Sequence, residues 1–377
     1  NRYFVFEPIP WDDRGVGDDS TNPFPSFVDS TISEVFFTQN RLGFTSGESV
    51  ILSRSGDLFN FFRTTVSQLL DDEVIDVKSA HQEVSLFHSA AFSDGQLFLF
   101  SESGPFLLSG DPVLTPRTVR LEYMGAYPNT SAKPIAIGNR LFFGKVTTGY
   151  TQLFEYARRD AYAAQSAESV AEDVPAYVAG SPVMMAGDGG RGLIALVATG
   201  DRSRLYIYQY KLDRYDRIQS AWHYWQFSPG STVVGVDIID GVMGLLIKRT
   251  DGLYLEQIDF DLAMPVRAAH LDRRLTPATC TSAVYSAGFT TFTLPFSVAT
   301  DGSEGTMVVR DRATGLDATC TRPLATTVQV AGDYTGSTSC YIGVSYTFTY
   351  TPCRFYVHYK DIKETRGRTQ IRNLDVW

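Results

Sequence analysis

Apolar residues along this chain come in short bursts, each cut off by Gly, Asn, Asp or Ser. Within residues 33–62 the bursts fall at 35–37, 42–44, 50–52 and 58–62, with turn signals at Gln39-Asn40, Ser46-Gly47 and Ser55-Gly56-Asp57 between them. Bursts this short cannot sustain successive helical turns, and they predict strands joined by tight turns in one small antiparallel sheet.

The pattern then returns. Bursts at 87–92, 97–100, 106–108 and 118–123 are separated by Ser93-Asp94-Gly95 and Ser103-Gly104; further copies run over 134–156, 183–227 and 233–258, with turns such as Gly138-Asn139, Thr148-Gly149, Gly200-Asp201, Asp240-Gly241 and Asp251-Gly252. The second strand of each copy opens at Leu42, Leu97, Leu141, Leu193 and Val242, a spacing of 55, 44, 52 and 49 residues. Even the letters echo, Asn40-Arg41-Leu42-Gly43-Phe44 against Asn139-Arg140-Leu141-Phe142-Phe143. A repeat of about 40 to 50 residues with up to four strands per unit is the signature of a β-propeller. The reason for repetition is physical: one sheet cannot bury both faces alone, and a stacked neighbour supplies the second cover. Five blades are visible in sequence, and closing a ring would take one more, drawn from strands at the two ends.

The resulting expectation is an all-β chain. Residues 1–30, rich in Asp, Gly and Pro, form a loop or linker from a missing N-terminal region, since the chain opens without Met in what reads as mid-strand. Residues 31–265 form the propeller. An Ala-rich stretch over 157–174 is the one good helix candidate, expected as an insertion on the rim of the third blade. Residues 266–355, where Thr, Ser, Val and Tyr alternate with apolar residues, form a second small β-sandwich or barrel. Residues 356–377 supply C-terminal strands that return to the body.

Composition narrows the function classes. Hydrophobics at 44% and aromatics at 13% exclude a disordered chain. A net charge of −9 argues against tight phosphate-driven nucleic-acid binding. No apolar run has the ~20 residues of a membrane helix, and the opening residues lack a signal-peptide core. Cys280, Cys320, Cys340 and Cys353 show no Cys-x-x-Cys spacing, which leaves buried reduced thiols or a structural disulfide.

Candidate chemistry is sparse. The chain has no Gly-x-Ser-x-Gly elbow, His-Glu-x-x-His motif, P-loop or dinucleotide fingerprint. His81, His88, His223, His270 and His358 are scattered without a partner at i+4. Asp12, Asp13, Asp18 and Asp19 lack the alternation and closing Glu of an EF-hand, so they read as a solvated acidic loop. Paired carboxylates for glycoside hydrolysis are not evident, because Asp94, Asp240 and Asp251 sit where Asp-Gly turn chemistry is expected. Trp222-His223-Tyr224-Trp225 admits core packing or a sugar-stacking platform. The basic groups around Arg202 and Arg204, Lys211 and Arg214, and Arg273 and Arg274 each have an acid beside them and read as hairpin tips or contacts with neighbouring subunits. No catalytic, cofactor-binding or metal residue is singled out.

Three stretches carry a resemblance: Asn22-Pro23-Phe24-Pro25-Ser26-Phe27, the run from Gln39 through Val50, and Leu52-Ser53-Arg54-Ser55-Gly56-Asp57-Leu58-Phe59-Asn60-Phe61-Phe62. With Gln219-Ser220-Ala221-Trp222-His223-Tyr224-Trp225, Asp251-Gly252-Leu253-Tyr254-Leu255-Glu256 and Gly367-Arg368-Thr369-Gln370-Ile371-Arg372-Asn373, they resemble the tail tubular protein B family, the nozzle of T7-like short-tailed bacteriophages. The resemblance covers nearly the whole chain. It implies a structural virion protein without enzymatic activity or cofactor: a homo-oligomeric hexameric ring in the virion tail, assembled in the host cytoplasm. A tail adaptor protein would sit above, tail fibre proteins at the side, and viral double-stranded DNA would pass through the bore without sequence-specific binding. An acidic bore would not grip phosphates. The rival reading is a carbohydrate-binding or depolymerising propeller acting on the host envelope.

Overall fold

The computed structural model describes residues 5–110, 113–127, 132–157, 167–213, 216–260, 270–349, 357–359 and 362–364. The chain divides into two compact units, Asn1–Ala263 and Met264–Trp377.

The first unit is a succession of antiparallel sheets. The first sheet orders β1 (Ile32–Thr38), β2 (Arg41–Ser46), β3 (Ser49–Leu52) and β4 (Ile75–Lys78) side by side. The second holds β5 (Phe87–Ser93), β6 (Gln96–Ser101), β7 (Pro105–Gly110) and β8 (Val119–Tyr123) in the same order. In the third, β9 (Ile135–Ile137), β10 (Arg140–Thr147), β11 (Tyr150–Ala157) and β12 (Ala167–Ser169) pair in turn, with β13 (Val178–Ala179) also on β11. The fourth has β14 (Pro182–Asp188), β15 (Leu193–Ala198), β16 (Arg204–Asp213) and β17 (Asp216–Gln226); the fifth has β18 (Thr232–Ile239), β19 (Val242–Lys248) and β20 (Leu253–Asp259). Contacts run from β1 to β5, β5 to β9, β9 to β14 and β14 to β18, so the first strand of each sheet touches the first strand of the next. This is the propeller-like architecture that the repeat predicts.

Period-2 alternation explains how each blade serves two neighbours. In β15, Ile194, Leu196 and Ala198 pack on the third blade with Phe142 and Leu153, whereas Leu193, Ala195 and Val197 pack on the fifth with Val233, Met243 and Leu245. β16 does the same, with Tyr206 and Tyr208 on one side and Leu205 and Ile207 on the other. Phe36, Val50 and Leu52 join the first blade to Phe87, Leu97 and Leu99 of the second. Phe98 and Phe100 join the second to Leu141 and Phe143 of the third. Each fully buried Val, Leu, Ile, Phe or Met among these contributes roughly 1.5–3 kcal/mol.

Two sequence expectations are corrected. The burst at 58–62 is not the fourth strand of the first blade; that place is taken by β4. Instead Leu58, Phe59 and Phe61 fold over the free face of the blade, against Leu42, Phe44 and Ile51. There Phe61 lies 5.5 Å from Phe44 and 5.2 Å from Phe27, and Trp11 meets Phe59 edge-on at 5.5 Å. Loop aromatics thus give the first blade the cover that a preceding blade gives the others. The expected helix over 157–174 is also displaced where it is described: Ala167–Ser169 is a strand paired with Tyr156, Glu155 and Phe154, because an open edge of β11 offers more hydrogen bonds than alanine's helix propensity is worth. Residues 158–166 lie outside the described residues.

The second unit contains two four-stranded antiparallel sheets. One orders β21 (Asp272–Leu275), β28 (Cys340–Val344), β24 (Met307–Asp311) and β25 (Asp317–Ala318); the other orders β22 (Ser282–Ser286), β23 (Phe289–Thr293), β27 (Thr327–Ala331) and β26 (Cys320–Thr321). Met307, Val309 and Ile342 of the first sheet and Phe292, Val328 and Val330 of the second are buried, as a small sandwich requires. β29 (Val357–Tyr359) and β30 (Ile362–Glu364) form a separate hairpin.

Candidate functional site

The residues considered for chemistry are absorbed by turns and packing. Asp94 and Asp240 have φ of 51° and 50° and precede Gly95 and Gly241, also at positive φ; their place is set by hairpin geometry. Asp251 accepts a hydrogen bond from the Tyr254 hydroxyl at 2.7 Å. In the acidic loop, Asp18 Oδ1 accepts from the Thr21 hydroxyl at 2.9 Å and from the Thr21 and Ser20 amides at 2.9 and 3.1 Å, which holds its carboxyl below the usual range, and Asp19 pairs with Arg14. Among the described residues, no group of three or more His, Cys, Asp or Glu is placed to hold a metal ion. Cys280, Cys320 and Cys340 are free thiols, with burial raising Cys280 and Cys340 to about 11.

The histidines go separate ways. His81 stacks on Tyr123 with ring centroids 4.1 Å apart. His88 is half-buried on β5 with Nδ1 3.2 Å from Ser89 Oγ, and burial pushes its pKa down. His223 is likewise lowered by burial. His270 is exposed, and the side chain of His358 lies outside the described residues. The Trp222 strand is mostly core: Trp222 lies 5.0 Å from Tyr208 and donates Nε1–H to the Val170 carbonyl at 3.0 Å, and Trp225 packs near Phe260. Tyr224 stays exposed, with the Arg204 guanidinium 4.5 Å from its ring. A small recess of about 10 Å³, lined by Phe98, Phe100, Leu141 and Phe143, lies between the second and third blades and has no carboxylate or imidazole in its wall.

Charges that the sequence left unassigned prove to be internal fasteners. Arg41 is buried at the head of β2 and donates to the Ser53, Glu73 and Asp71 carbonyls at 2.7, 2.6 and 3.1 Å. Glu73, also buried, accepts from the Thr64 amide at 3.0 Å. Together they clip the 53–74 excursion that carries the aromatic cover. Arg140, at the head of β10, forms an ion pair with buried Glu155 of β11, and the other oxygen of Glu155 takes Arg217 of the fourth blade. Arg249 has a side chain only 1% exposed and meets Glu256 in a two-pronged pair at 2.9 and 2.7 Å. The basic groups expected at hairpin tips or subunit contacts also work within their own unit. Arg202 donates to the Val233 carbonyl of the next blade at 2.8 Å, and Arg273 lies over the Phe296 ring at 3.8 Å. The repeated Asn-Arg-Leu at 40–42 and 139–141 is the one sequence signal that could have found these arginines.

Among the described residues, Arg41, Glu73, Arg140, Glu155 and Arg249 are thus buried charges that serve as internal fasteners. The family model described as bacteriophage nozzle protein matches residues 1–377. The chain belongs to the bacteriophage nozzle protein family. It is 30% identical over 259 residues to the tail tubular protein gp12 of Escherichia phage T7, a match covering 68% of this chain and 33% of that protein. The chain thus spans about a third of the length of that relative. Nozzle proteins are structural components of the phage tail, which places this chain in the virion tail. Among solved structures it is similar to the β-propeller domain of Cps50 (Swd1) from Myceliophteria thermophila, at 12% identity and a TM-score of 0.38 over 80% of this chain and 84% of that one. It is also similar to the WD40 domain of Toxoplasma gondii coronin, at 12% identity and a TM-score of 0.37 over 60% and 55%. The propeller-like arrangement of this nozzle family member is visible in its own sheet order.

Proposed function

We propose that this chain is the wall of a hexameric nozzle through which phage DNA leaves the virion, and that it performs no catalysis. The observation that carries this reading is the nozzle family match across residues 1–377. It is supported by the use of buried charges as fasteners between strands and blades rather than as groups lining a cleft. In this reading six copies assemble in the host cytoplasm into a ring below a tail adaptor protein, with tail fibre proteins docking at the side. Viral double-stranded DNA passes without base-specific contact. The net charge of −9 suits a bore that must not hold phosphates. Placing the acids on the outer wall and Lys and Arg along the bore would contradict that part of the reading.

The test is antibody labelling of intact virions with serum raised against this chain, viewed by electron microscopy. Label confined to the tail supports the nozzle. Label on the capsid or only on lateral fibres overturns it, as does release of oligosaccharides from host capsule by the purified chain.

A further inference from the structure

Among the described residues, the two four-stranded sheets of the second unit have four edges, and three of them are protected against pairing with another chain. β21 carries Asp272, Arg273 and Arg274. β25 carries Asp317, held by Arg310 at 2.6 Å. β26 is two residues long and runs into Arg322 and Pro323. Charges, short length and proline are the ordinary means of keeping an edge strand solitary. The fourth edge, β22, has none of them. It reads Ser282-Ala283-Val284-Tyr285-Ser286, and no charged residue occurs between Arg274 and Asp301. Its apolar side chains face solvent: Val284 is 56% exposed, and Tyr285 and Phe289, at the mouth of the β22–β23 turn, are exposed beside it. That turn is fixed by positive φ at Ala287 and Gly288, 53° and 86°, so the edge is a preformed template.

We infer that β22 is an assembly edge onto which a strand of a second copy of this chain adds. Charge selects this occupant. Copies that each carry −9 repel wherever acids meet, and the charge-free run between Arg274 and Asp301 is a seam along which two of them can approach without like-charge contact. Main-chain hydrogen bonds along the edge give affinity, and Val284 and Tyr285 give side-chain contact on the two faces. If a different segment of the second copy adds to β22, the contact is head-to-tail, the kind that closes into rings, whereas β22 pairing with β22 would be two-fold and stop at a dimer. This deepens the nozzle proposal and rests on its ring assembly.

The experiment compares the full chain with Val284→Lys and Val284→Thr by sedimentation and electron microscopy, and follows amide exchange of residues 282–286 in the wild type. Val284→Lys is expected to weaken association at least tenfold, Val284→Thr to leave it unchanged, and the 282–286 amides to exchange at least tenfold more slowly in the assembled than in the diluted wild type. The exchange measurement does not depend on the folding of any variant. Rings that persist in Val284→Lys, or edge amides that exchange equally fast in both states, overturn the edge while leaving the nozzle standing. A Val284→Lys protein that assembles normally but no longer binds host-envelope vesicles also overturns it, in favour of a different occupant. A wild type that never assembles removes the nozzle ring and the edge together.

Discussion

Arg41 and Arg140 occupy the same place in two blades, the first residue of the second strand, and both are buried but held differently: Arg41 donates to three main-chain carbonyls, and Arg140 pairs with the carboxylate of Glu155. Glu155 also holds Arg217, so its removal leaves one buried and one half-buried guanidinium without it. Stripping one partner from a buried ion pair costs about 3–5 kcal/mol. Glu155→Ala is therefore expected to lower stability by about that amount, seen as a fall in the guanidinium chloride midpoint. A loss below about 1 kcal/mol would show that the triad is dispensable.

Inter-blade packing predicts a sharp contrast between two leucines. Leu196 is fully buried between the third and fourth blades, whereas Leu255 on β20 is 82% exposed. Leu196→Ala should destabilise by about 2–5 kcal/mol through lost burial and a residual cavity. Leu255→Ala should stay within about 0.5 kcal/mol of the parent. Equal effects in chemical unfolding would contradict the assignment of faces.

Acid sensitivity should arrive in two stages. Burial lowers His88 and His223 from the usual 6.5, so the unfolded chain takes up protons before the folded one and stability falls as pH drops below about 6.5. Asp72, paired with Arg54, and Glu48, bonded by the Ser85 amide and Lys78, are also lowered, from 3.8 and 4.5. Their contribution is present above those values and is lost as pH falls through the lower folded-state values. A melting-temperature profile should show both stages, and His88→Leu should flatten the upper one. An unchanged slope in that variant would assign the step elsewhere.

Gly192 has φ of +58°, and a Cβ there would lie 2.1 Å from the Tyr210 carbonyl oxygen. The turn before β15 thus depends on glycine both for its conformation and for the close approach of β16. Gly192→Ala should lower stability by more than the roughly 1 kcal/mol of an ordinary glycine replacement, read from the melting temperature. A neutral result would contradict the register.

Much of the architecture is legible in the sequence because each blade is local. Leu97, Leu141, Leu193 and Val242 mark second strands correctly, and the Asp-Gly turns lie where hairpins need them. What was not legible depends on distant partners. The aromatic burst at 58–62 looks like a strand until Trp11 and Phe27 are seen to need it as a cover. Ile75-Asp76-Val77-Lys78 follows an acidic run that hides its pairing with β3. Ala167–Ser169, at the end of the Ala-rich stretch, pairs as a strand on the edge of β11. Glu155 gives no hint in sequence that its second oxygen meets Arg217, since that contact exists only once two blades are stacked.

The central claim is that this chain builds a ring-shaped tube wall. Native mass spectrometry of the purified protein, paired with negative-stain imaging, tests it most directly. The account predicts closed rings of six copies around an open bore. A monodisperse monomer at high concentration, with or without activity on envelope polysaccharide, would contradict it.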